Sequence, residues 1–110
     1  YVWVGRREEG VFRYDGNQFE KLNIPDDLNA LTVFEDSADR LWIGTRDNGV
    51  WRFDSKQGAL TQFSVKDGLS DNRVRDIIED RRGNIWLATE NGISRYDLKQ
   101  FENFDARDGL

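Results

Sequence analysis

The 110-residue sequence contains no cysteine and no histidine. The lack of cysteine excludes a disulfide framework and a thiolate metal site, and the lack of histidine removes the commonest metal ligand and general base. Apolar runs reach only about four residues, whereas a membrane-spanning helix needs about 20. We therefore expect no metal, no cofactor and no membrane contact by these residues.

The balance of charge excludes further partners. The 16 Lys and Arg residues are outnumbered by 21 Asp and Glu residues, which gives a formal net charge of −5. Nucleic acids and anionic membranes are bound by basic surfaces, so neither is an expected partner. Hydrophobic residues still make up 37% of the chain, which is enough material for a packed core.

A six-residue phrase occurs three times, at Gly10–Asp15, Gly49–Asp54 and Gly92–Asp97. It consists of Gly, a β-branched aliphatic residue, a variable residue, Arg, Tyr or Phe, and Asp. Such recurrence indicates an internal repeat. The phrase is typical of a β-strand that follows a turn in which Gly takes a positive φ. Its arginine is expected to pair with a carboxylate on an adjacent strand.

A short apolar run precedes each hexad, at Val2–Gly5, Leu41–Gly44 and Ile85–Ala88. Trp is second in each run and a small residue is fourth. Alternation places these two residues on one face of a strand and the aliphatic residues on the other, so both faces are expected to be buried. The small residue predicts close approach of a neighbouring sheet. The recurrent Trp is predicted to pack between sheets, not to stack on a sugar.

Two further short strands complete each repeat. The third strands are predicted at Phe19–Leu22, Leu60–Phe63 and Phe101–Phe104, and the fourth strands at Ala30–Asp36 and Val74–Asp80. No amphipathic stretch of ten or more residues predicts a helix. Four antiparallel strands in about 41 residues are typical of a β-propeller blade. A β-sandwich is the alternative, but sandwiches do not normally repeat one motif every four strands.

The predicted fold is all-β, with propeller blades of four antiparallel strands in an incomplete propeller of about two and three-quarter blades. If the fourth type of strand is innermost, residues 1–28 form a partial blade of three strands, and residues 29–69 and 70–110 form full blades. Propellers close with about 4 to 8 blades, so these strands cannot form a ring. The remaining blades of the same propeller, or further copies of the chain, are the expected partners.

The residues from Asp67 to Asp97 resemble the two-component regulator propeller repeat, whose pattern is similar to GL-S-N-V-I-D-G-N-LWIGT-GL-R-D. Leu41–Thr45 matches its central phrase residue for residue, and the resemblance covers all 110 residues. It implies a segment of the periplasmic sensor propeller of a bacterial hybrid histidine kinase. The ligand that it implies is a glycan fragment, and the segment itself is not expected to be an enzyme.

Ligand-binding residues are expected in loops that differ between repeats and share one rim of the propeller. Trp51 is added because it stands where Phe12 and Ser94 stand and so departs from the repeat; the alternative for Trp51 is packing between blades. The loops carry planar polar side chains, which suit the binding of an oligosaccharide. The predicted ligand-binding residues are Arg6, Arg7, Glu8, Arg46, Asp47, Asn48, Trp51, Asp71, Asn72 and Arg73.

Two other functions compete with the sensor. One is a protein-interaction or assembly scaffold that binds no small ligand. The other is an enzyme on a propeller, but no pair of carboxylates stands out for acid–base hydrolysis, and no catalytic residue is assigned. Asp36 and Asp80, together with the turns that follow them, offer too few carboxylates for calcium with its 6 to 8 oxygen ligands.

Overall fold

The computed structural model describes residues 2–6, 10–14, 16–22, 29–54 and 56–109, and only the backbone of residues 2–6, 10 and 106. Eleven β-strands and two short 3-10 turns occupy these ranges. The strands are β1 Val2–Arg6, β2 Gly10–Tyr14, β3 Phe19–Lys21, β4 Ala30–Glu35, β5 Arg40–Thr45, β6 Val50–Asp54, β7 Ala59–Phe63, β8 Val74–Glu79, β9 Ile85–Thr89, β10 Gly92–Tyr96 and β11 Phe101–Phe104. The 3-10 turns are Val65–Asp67 and Ala106–Asp108.

The strands form three antiparallel sheets in which every strand pairs with its neighbour in the sequence. Sheet 1 contains β1–β3, sheet 2 contains β4–β7 and sheet 3 contains β8–β11. The four-stranded meander of sheets 2 and 3 is the arrangement of a propeller blade, and the predicted all-β, incomplete propeller is confirmed. The blade boundary at residue 28 falls in 23–28, outside the described residues, and the boundary at residue 69 stays a prediction.

Among the described residues, the core consists of two apolar clusters, one at each junction between sheets. At the junction of sheets 2 and 3, Trp42 has no exposed surface, and the centroid of its ring lies 5.7 Å from that of Tyr96 and 5.9 Å from that of Phe63. At the junction of sheets 1 and 2, Val11 and Leu22 pack with Ile43 and its neighbours. The predicted packing of Trp42 between sheets is therefore confirmed.

The junction of sheets 2 and 3 also explains the small residue of β5, Gly44. A Cβ atom on Gly44 would lie 2.8 Å from the Val74 carbonyl oxygen of sheet 3 and 2.7 Å from Cγ2 of Thr32. Real Cβ atoms do not approach backbone atoms this closely, so the sheets meet at this distance only because position 44 has no side chain. Ala88 holds the equivalent position in sheet 3, on the face turned away from sheet 2.

The hairpin turns that precede β5 and β9 are organised by a carboxylate. Asp36 is 4% exposed, and its side chain accepts hydrogen bonds from the Trp42 indole N–H (2.8 Å), from Arg40 Nε (2.9 Å) and from two backbone N–H groups. Asp80 likewise accepts from the Trp86 indole N–H at 2.8 Å. Each Asp therefore holds both its turn and the repeat Trp. The sequence did not predict this bond. Each turn also has one residue in the left-handed conformation, Asp39 with φ of 62° and Gly83 with φ of 86°.

Two of the three hexad arginines have the predicted carboxylate partner. Arg13 pairs with Glu20 and Arg95 with Glu102, each directly across the strand pair. Arg52 departs from the prediction because the register puts Thr61 at that position. Its guanidinium group instead lies over the aromatic rings of Trp42 and Phe63 in sheet 2, 5.6 Å and 5.2 Å from their centroids.

The loop after β7 contains a 3-10 turn that the sequence did not predict. Ser64 begins it with a reciprocal capping box, in which Asp67 Oδ2 accepts from the Ser64 N–H at 2.9 Å. Gly68 ends the turn in the left-handed conformation, with φ of 104°. A single turn of three residues is too short to produce a helical hydrophobic period, so the pattern could not reveal it.

Candidate functional site

Loops from sheets 2 and 3 meet at one end of the molecule, here called the rim and consisting of residues 45–49, 69–73 and 89–92. Strands β5 and β9 end there, and β8 begins there. The Gly49 N–H donates to the Asn72 carbonyl oxygen at 2.8 Å, and the Glu90 N–H donates to the Arg73 carbonyl oxygen at 3.2 Å. The loop between the sheets is therefore fixed to a hairpin on each side.

Thr45 shapes the first hairpin of the rim. Its hydroxyl group donates to the Gly49 carbonyl oxygen at 2.7 Å and accepts from the Asn48 N–H at 2.9 Å. Gly49 has a φ of 76°, and a Cβ atom there would lie 2.2 Å from the Phe63 carbonyl oxygen, so only glycine fits. These constraints leave the side chains between them, Arg46, Asp47 and Asn48, exposed to solvent.

Asp71 and Arg73 connect the two hairpins through their side chains. Asp71 accepts from the Arg73 N–H at 2.8 Å and from the Asn91 side-chain amide. Arg73 Nε donates to the Arg46 carbonyl oxygen at 3.4 Å, and Arg73 Nη2 lies 4.0 Å from Asp47 Oδ1. The guanidinium group is thus held between the first hairpin and the loop, with 31% of the side chain exposed.

A second arginine faces solvent beside the rim. The register between β8 and β9 shifts between Val74 and Asp76, which leaves Arg75 at a β-bulge. Bulges of this kind re-aim a side chain. Arg75 Nη2 donates to Glu90 Oε1 at 3.2 Å, and this pairing raises the pKa of Arg75 and lowers the pKa of Glu90. Both groups are charged at neutral pH.

Six of the predicted ligand-binding residues come together at the rim. They are Arg46, Asp47, Asn48, Asp71, Asn72 and Arg73. Arg6 is the last residue of β1 and only its backbone is described, whereas Arg7 and Glu8 lie outside the described residues. Trp51 lies in β6 and packs in the cluster between sheets 1 and 2.

The sequence prediction missed two polar residues of the rim, Glu90 and Asn91, and one beside it, Arg75. Glu90 and Asn91 belong to the hairpin of the third repeat, which is equivalent to residues 46–48 of the second. An alignment of the repeats would have identified Glu90 and Asn91 as the counterparts of these predicted residues. Nothing in the sequence marks Arg75, because its exposure depends on the bulge.

The rim presents amide, guanidinium and carboxylate groups in matched pairs. Such groups donate and accept hydrogen bonds with hydroxyl groups, and the alternation of donors and acceptors suits a polyhydroxylated ligand. The structure shows no group of three or more carboxylates that could hold a metal ion within its described ranges. In those same ranges no helix is long and apolar enough to cross a membrane.

Comparison with solved structures gives a neighbour over nearly the whole chain. It is the extracellular domain of a protein from B. thetaiotaomicron described as a hybrid two component system, with 28% sequence identity and a TM-score of 0.83. The match covers 98% of this chain and 16% of that chain. This chain therefore spans about one sixth of the length of that relative.

Two further structures share the fold at 20% sequence identity. They are extracellular domains from B. thetaiotaomicron, one described as a one component system and the other as a hybrid two component system, with TM-scores of 0.58 and 0.56. Each match covers 92% of this chain, and 20% and 19% of the respective structures. No protein among the curated sequences matches the chain at a significant level.

The family comparison agrees with the fold. Residues 23–47 and 68–91 match the description "Two component regulator propeller". The second match includes β8 and β9 of sheet 3, and the first includes β4 and β5 of sheet 2. These two segments match the repeat of the two component regulator propeller family, as the sequence predicted.

Proposed function

We propose that this chain is a segment of the extracytoplasmic, periplasmic sensor propeller of a bacterial two-component signalling protein, and that the complete propeller binds an oligosaccharide. The segment itself is not an enzyme in this proposal. Its support is the family match and the likeness to an extracellular domain at a TM-score of 0.83. The observation that carries the ligand proposal is the convergence of paired polar side chains at the rim.

The rim is suited to a neutral oligosaccharide because its charges are balanced. Arg73 lies beside Asp47, and Arg75 is paired with Glu90. A carboxylate beside each guanidinium offers an acceptor next to a donor, the arrangement that a vicinal pair of hydroxyl groups requires. An anionic ligand would have to displace these carboxylates.

We also propose that neighbouring blades cover this segment, because the outer face of sheet 3 has the same aromatic arrangement as the sheet 2 side of the junction between sheets 2 and 3. Trp86 and Phe104 stack there with ring centroids 5.8 Å apart and an interplanar angle of 24°, and Arg95 lies over both rings. Trp42 and Phe63 stack in the same way, at 5.9 Å and 22°, where sheet 3 covers them. An equivalent sheet would cover Trp86 in a ring.

The outer face of sheet 1 has the same aromatic arrangement as the sheet 3 side of that junction. Tyr14 and Phe19 have ring centroids 4.8 Å apart and an interplanar angle of 35°. Tyr96 and Phe101 have the same separation and angle at the junction where they pack against sheet 2. Phe19 is 66% exposed. We propose that remaining blades of the propeller, or further copies of this chain, cover both faces.

Light scattering combined with size-exclusion chromatography tests the partner proposal. The 110-residue chain is expected to associate, because large exposed apolar patches are typical of interaction sites. Replacing Ile78, which is 56% exposed on the outer face of sheet 3, by Lys should lower the apparent mass. A soluble monomer over the whole accessible concentration range would contradict the proposal.

Calorimetric titration of the complete ectodomain with neutral oligosaccharides tests the ligand proposal. Saturable binding is expected, and Arg73→Ala should weaken it by about tenfold, because a charged hydrogen-bond donor is worth about 1.5–3 kcal/mol. Lys99→Ala is the matched control, since Lys99 is an exposed cation in the turn at the opposite end of sheet 3. Absence of binding to any oligosaccharide would favour the assembly scaffold.

A further inference from the structure

A carboxylate joins sheets 2 and 3 at the end of β8 that is opposite to the rim. Glu79, the last residue of β8, accepts from the N–H of Ser37 at 2.9 Å and from the Ser37 hydroxyl group at 2.7 Å. Ser37 belongs to the turn between β4 and β5 of sheet 2. The first strand of sheet 3 is therefore fixed to a turn of sheet 2 by two hydrogen bonds to a charged acceptor.

The equivalent turn of sheet 3 has the same hydrogen bonds as this turn of sheet 2. The two turns are organised by Asp36 and by Asp80. In each, Oδ1 of the Asp accepts from the N–H of the residue two positions later at 2.9 Å and from that four positions later at 3.0 Å. Arg81 therefore occupies in sheet 3 the position that Ser37 occupies in sheet 2.

Arg81 has no counterpart of the bond between Ser37 and Glu79. Within the described ranges its N–H and its guanidinium group form no hydrogen bond and no ion pair, and its side chain is exposed. Arg82 is exposed as well, but its N–H is already bonded to Asp80. Sheet 3 thus presents a donor without a partner, beside two cations, at the place where sheet 2 receives a carboxylate.

The outer face of sheet 3, next to this turn, is covered by no other sheet of the described residues. Ile78, which pairs with Trp86, is 56% exposed on this face. Phe34 is the equivalent residue of sheet 2, and it packs against the cluster between sheets 2 and 3. A sheet that covered Ile78 as sheet 3 covers Phe34 would bring the end of its own first strand to Arg81.

The repeat itself has a residue that is complementary to Arg81. β4 ends at Glu35 and β8 ends at Glu79, so the first strand of each four-stranded sheet ends in glutamate. A further sheet with glutamate at this position would place a carboxylate beside the Arg81 N–H. The guanidinium group adds a positive charge that Ser37 lacks, which favours an acidic residue there and disfavours a basic one.

We propose that the outer face of sheet 3 binds a further four-stranded blade whose first strand ends in a carboxylate, and that this carboxylate pairs with Arg81. The inference rests on the proposed function, in which neighbouring blades cover this segment, and it names the charge that the blade must carry. Ala88, which replaces the Gly44 of sheet 2, lies towards the rim end of β9 and leaves the turn at Arg81 accessible.

Labelling of an introduced thiol in the complete ectodomain tests the pairing. The chain has no cysteine, so Ile78→Cys places one thiol of this segment on the outer face of sheet 3. Its reaction with iodoacetamide is followed by mass spectrometry of the peptide that contains position 78. The reaction is expected to be at least about tenfold slower in the folded ectodomain than in the same protein unfolded in urea. Arg81→Glu should raise the rate in the folded ectodomain by at least about fivefold, because it sets two like charges against each other.

Arg82→Glu is the matched control, because Arg82 is an exposed arginine of the same turn whose N–H already has a partner. It should leave the labelling rate within about twofold, and so should Arg81→Lys, which keeps the positive charge. In the isolated chain, Arg81→Glu should change neither the thermal midpoint nor the apparent mass, since the pairing needs a blade outside this segment.

The outcomes separate this inference from the proposed function. Fast labelling of the Ile78→Cys ectodomain in its folded state would overturn both the coverage of sheet 3 and the pairing. Protection of the thiol that Arg81→Glu leaves unchanged would overturn the pairing alone. A lower apparent mass of the isolated Arg81→Glu chain would assign the face to a second copy, and this result too would overturn the pairing with a further blade.

Discussion

The substitution Gly44→Ala tests how closely sheets 2 and 3 approach each other. The added Cβ atom would lie 2.8 Å from the Val74 carbonyl oxygen and 2.7 Å from Thr32 Cγ2. Thr32 can rotate its methyl group away, but the Val74 oxygen belongs to the backbone of β8. Reaching an acceptable separation of 3.4 Å requires a relative movement of about 0.6 Å at a fully buried junction (3.4 − 2.8).

The magnitude follows from two opposing effects. Overpacking of a well-packed core costs about 1–3 kcal/mol. Because Gly44 does not have a positive φ, alanine also gains about 0.4–1 kcal/mol by restricting the unfolded chain. We expect the free energy of unfolding to fall by about 1.3 kcal/mol, the difference between the midpoints of these two ranges.

Urea-induced equilibrium unfolding, followed by tryptophan fluorescence and by circular dichroism, measures this change. The two probes must give coincident transitions for the free energy to be defined. Ala88→Gly is the matched control, since Ala88 holds the equivalent position on the outer face of sheet 3. It should cost only the usual 0.5–1 kcal/mol of a glycine in a strand. Unchanged or raised stability of Gly44→Ala would refute the close approach.

Three further predictions concern single residues. The pKa of Asp80 is lowered from 3.8 to about 2, chiefly by the Trp86 indole N–H. The stabilising effect of its carboxylate is therefore present above pH 4 and is lost as the pH falls towards 2. A pH series of unfolding midpoints should show this loss of stability, and the loss should be smaller in Asp80→Asn. Trp51→Phe should be neutral or stabilising in thermal unfolding, because the buried Trp51 Nε1 has no hydrogen-bond partner among the described residues; a loss above about 2 kcal/mol would contradict this expectation. Thr61→Glu should raise stability by about 0.2–1 kcal/mol in urea unfolding, because it gives Arg52 the cross-strand partner found in sheets 1 and 3; no gain, or a loss, would contradict this expectation.

The fold could be predicted from local sequence patterns. The three hexads and the Trp runs predicted the strands, their order and their grouping by four, because period-2 alternation and turn residues act over only a few positions. The small residue at position 44 even predicted the close contact between sheets. Because these weak local signals recur at a fixed spacing, together they produce a specific resemblance to one family.

The rim could be predicted only in part. The polar character of residues 46–48 and 71–73 is visible in the sequence, and repeat spacing indicates that both sets lie at the same end of the sheets. Which side chains pair there depends on the hydrogen bonds that fix the loop between sheets 2 and 3. The exposure of Arg75 depends on a bulge, which involves the partner strand as much as its own.

The sequence by itself determined that this chain forms repeated four-stranded blades, since the spacing of its glycines, tryptophans and alternating apolar residues is a property of the chain alone. Tertiary structure decided what happens between blades. It brought the Asp71 carboxylate to the Asn91 amide, and it buried the ring of Trp42 in sheet 2 against Tyr96 of sheet 3. The physical reason is that packing depends on the summed size of side chains from two sheets, and no single repeat contains both of them.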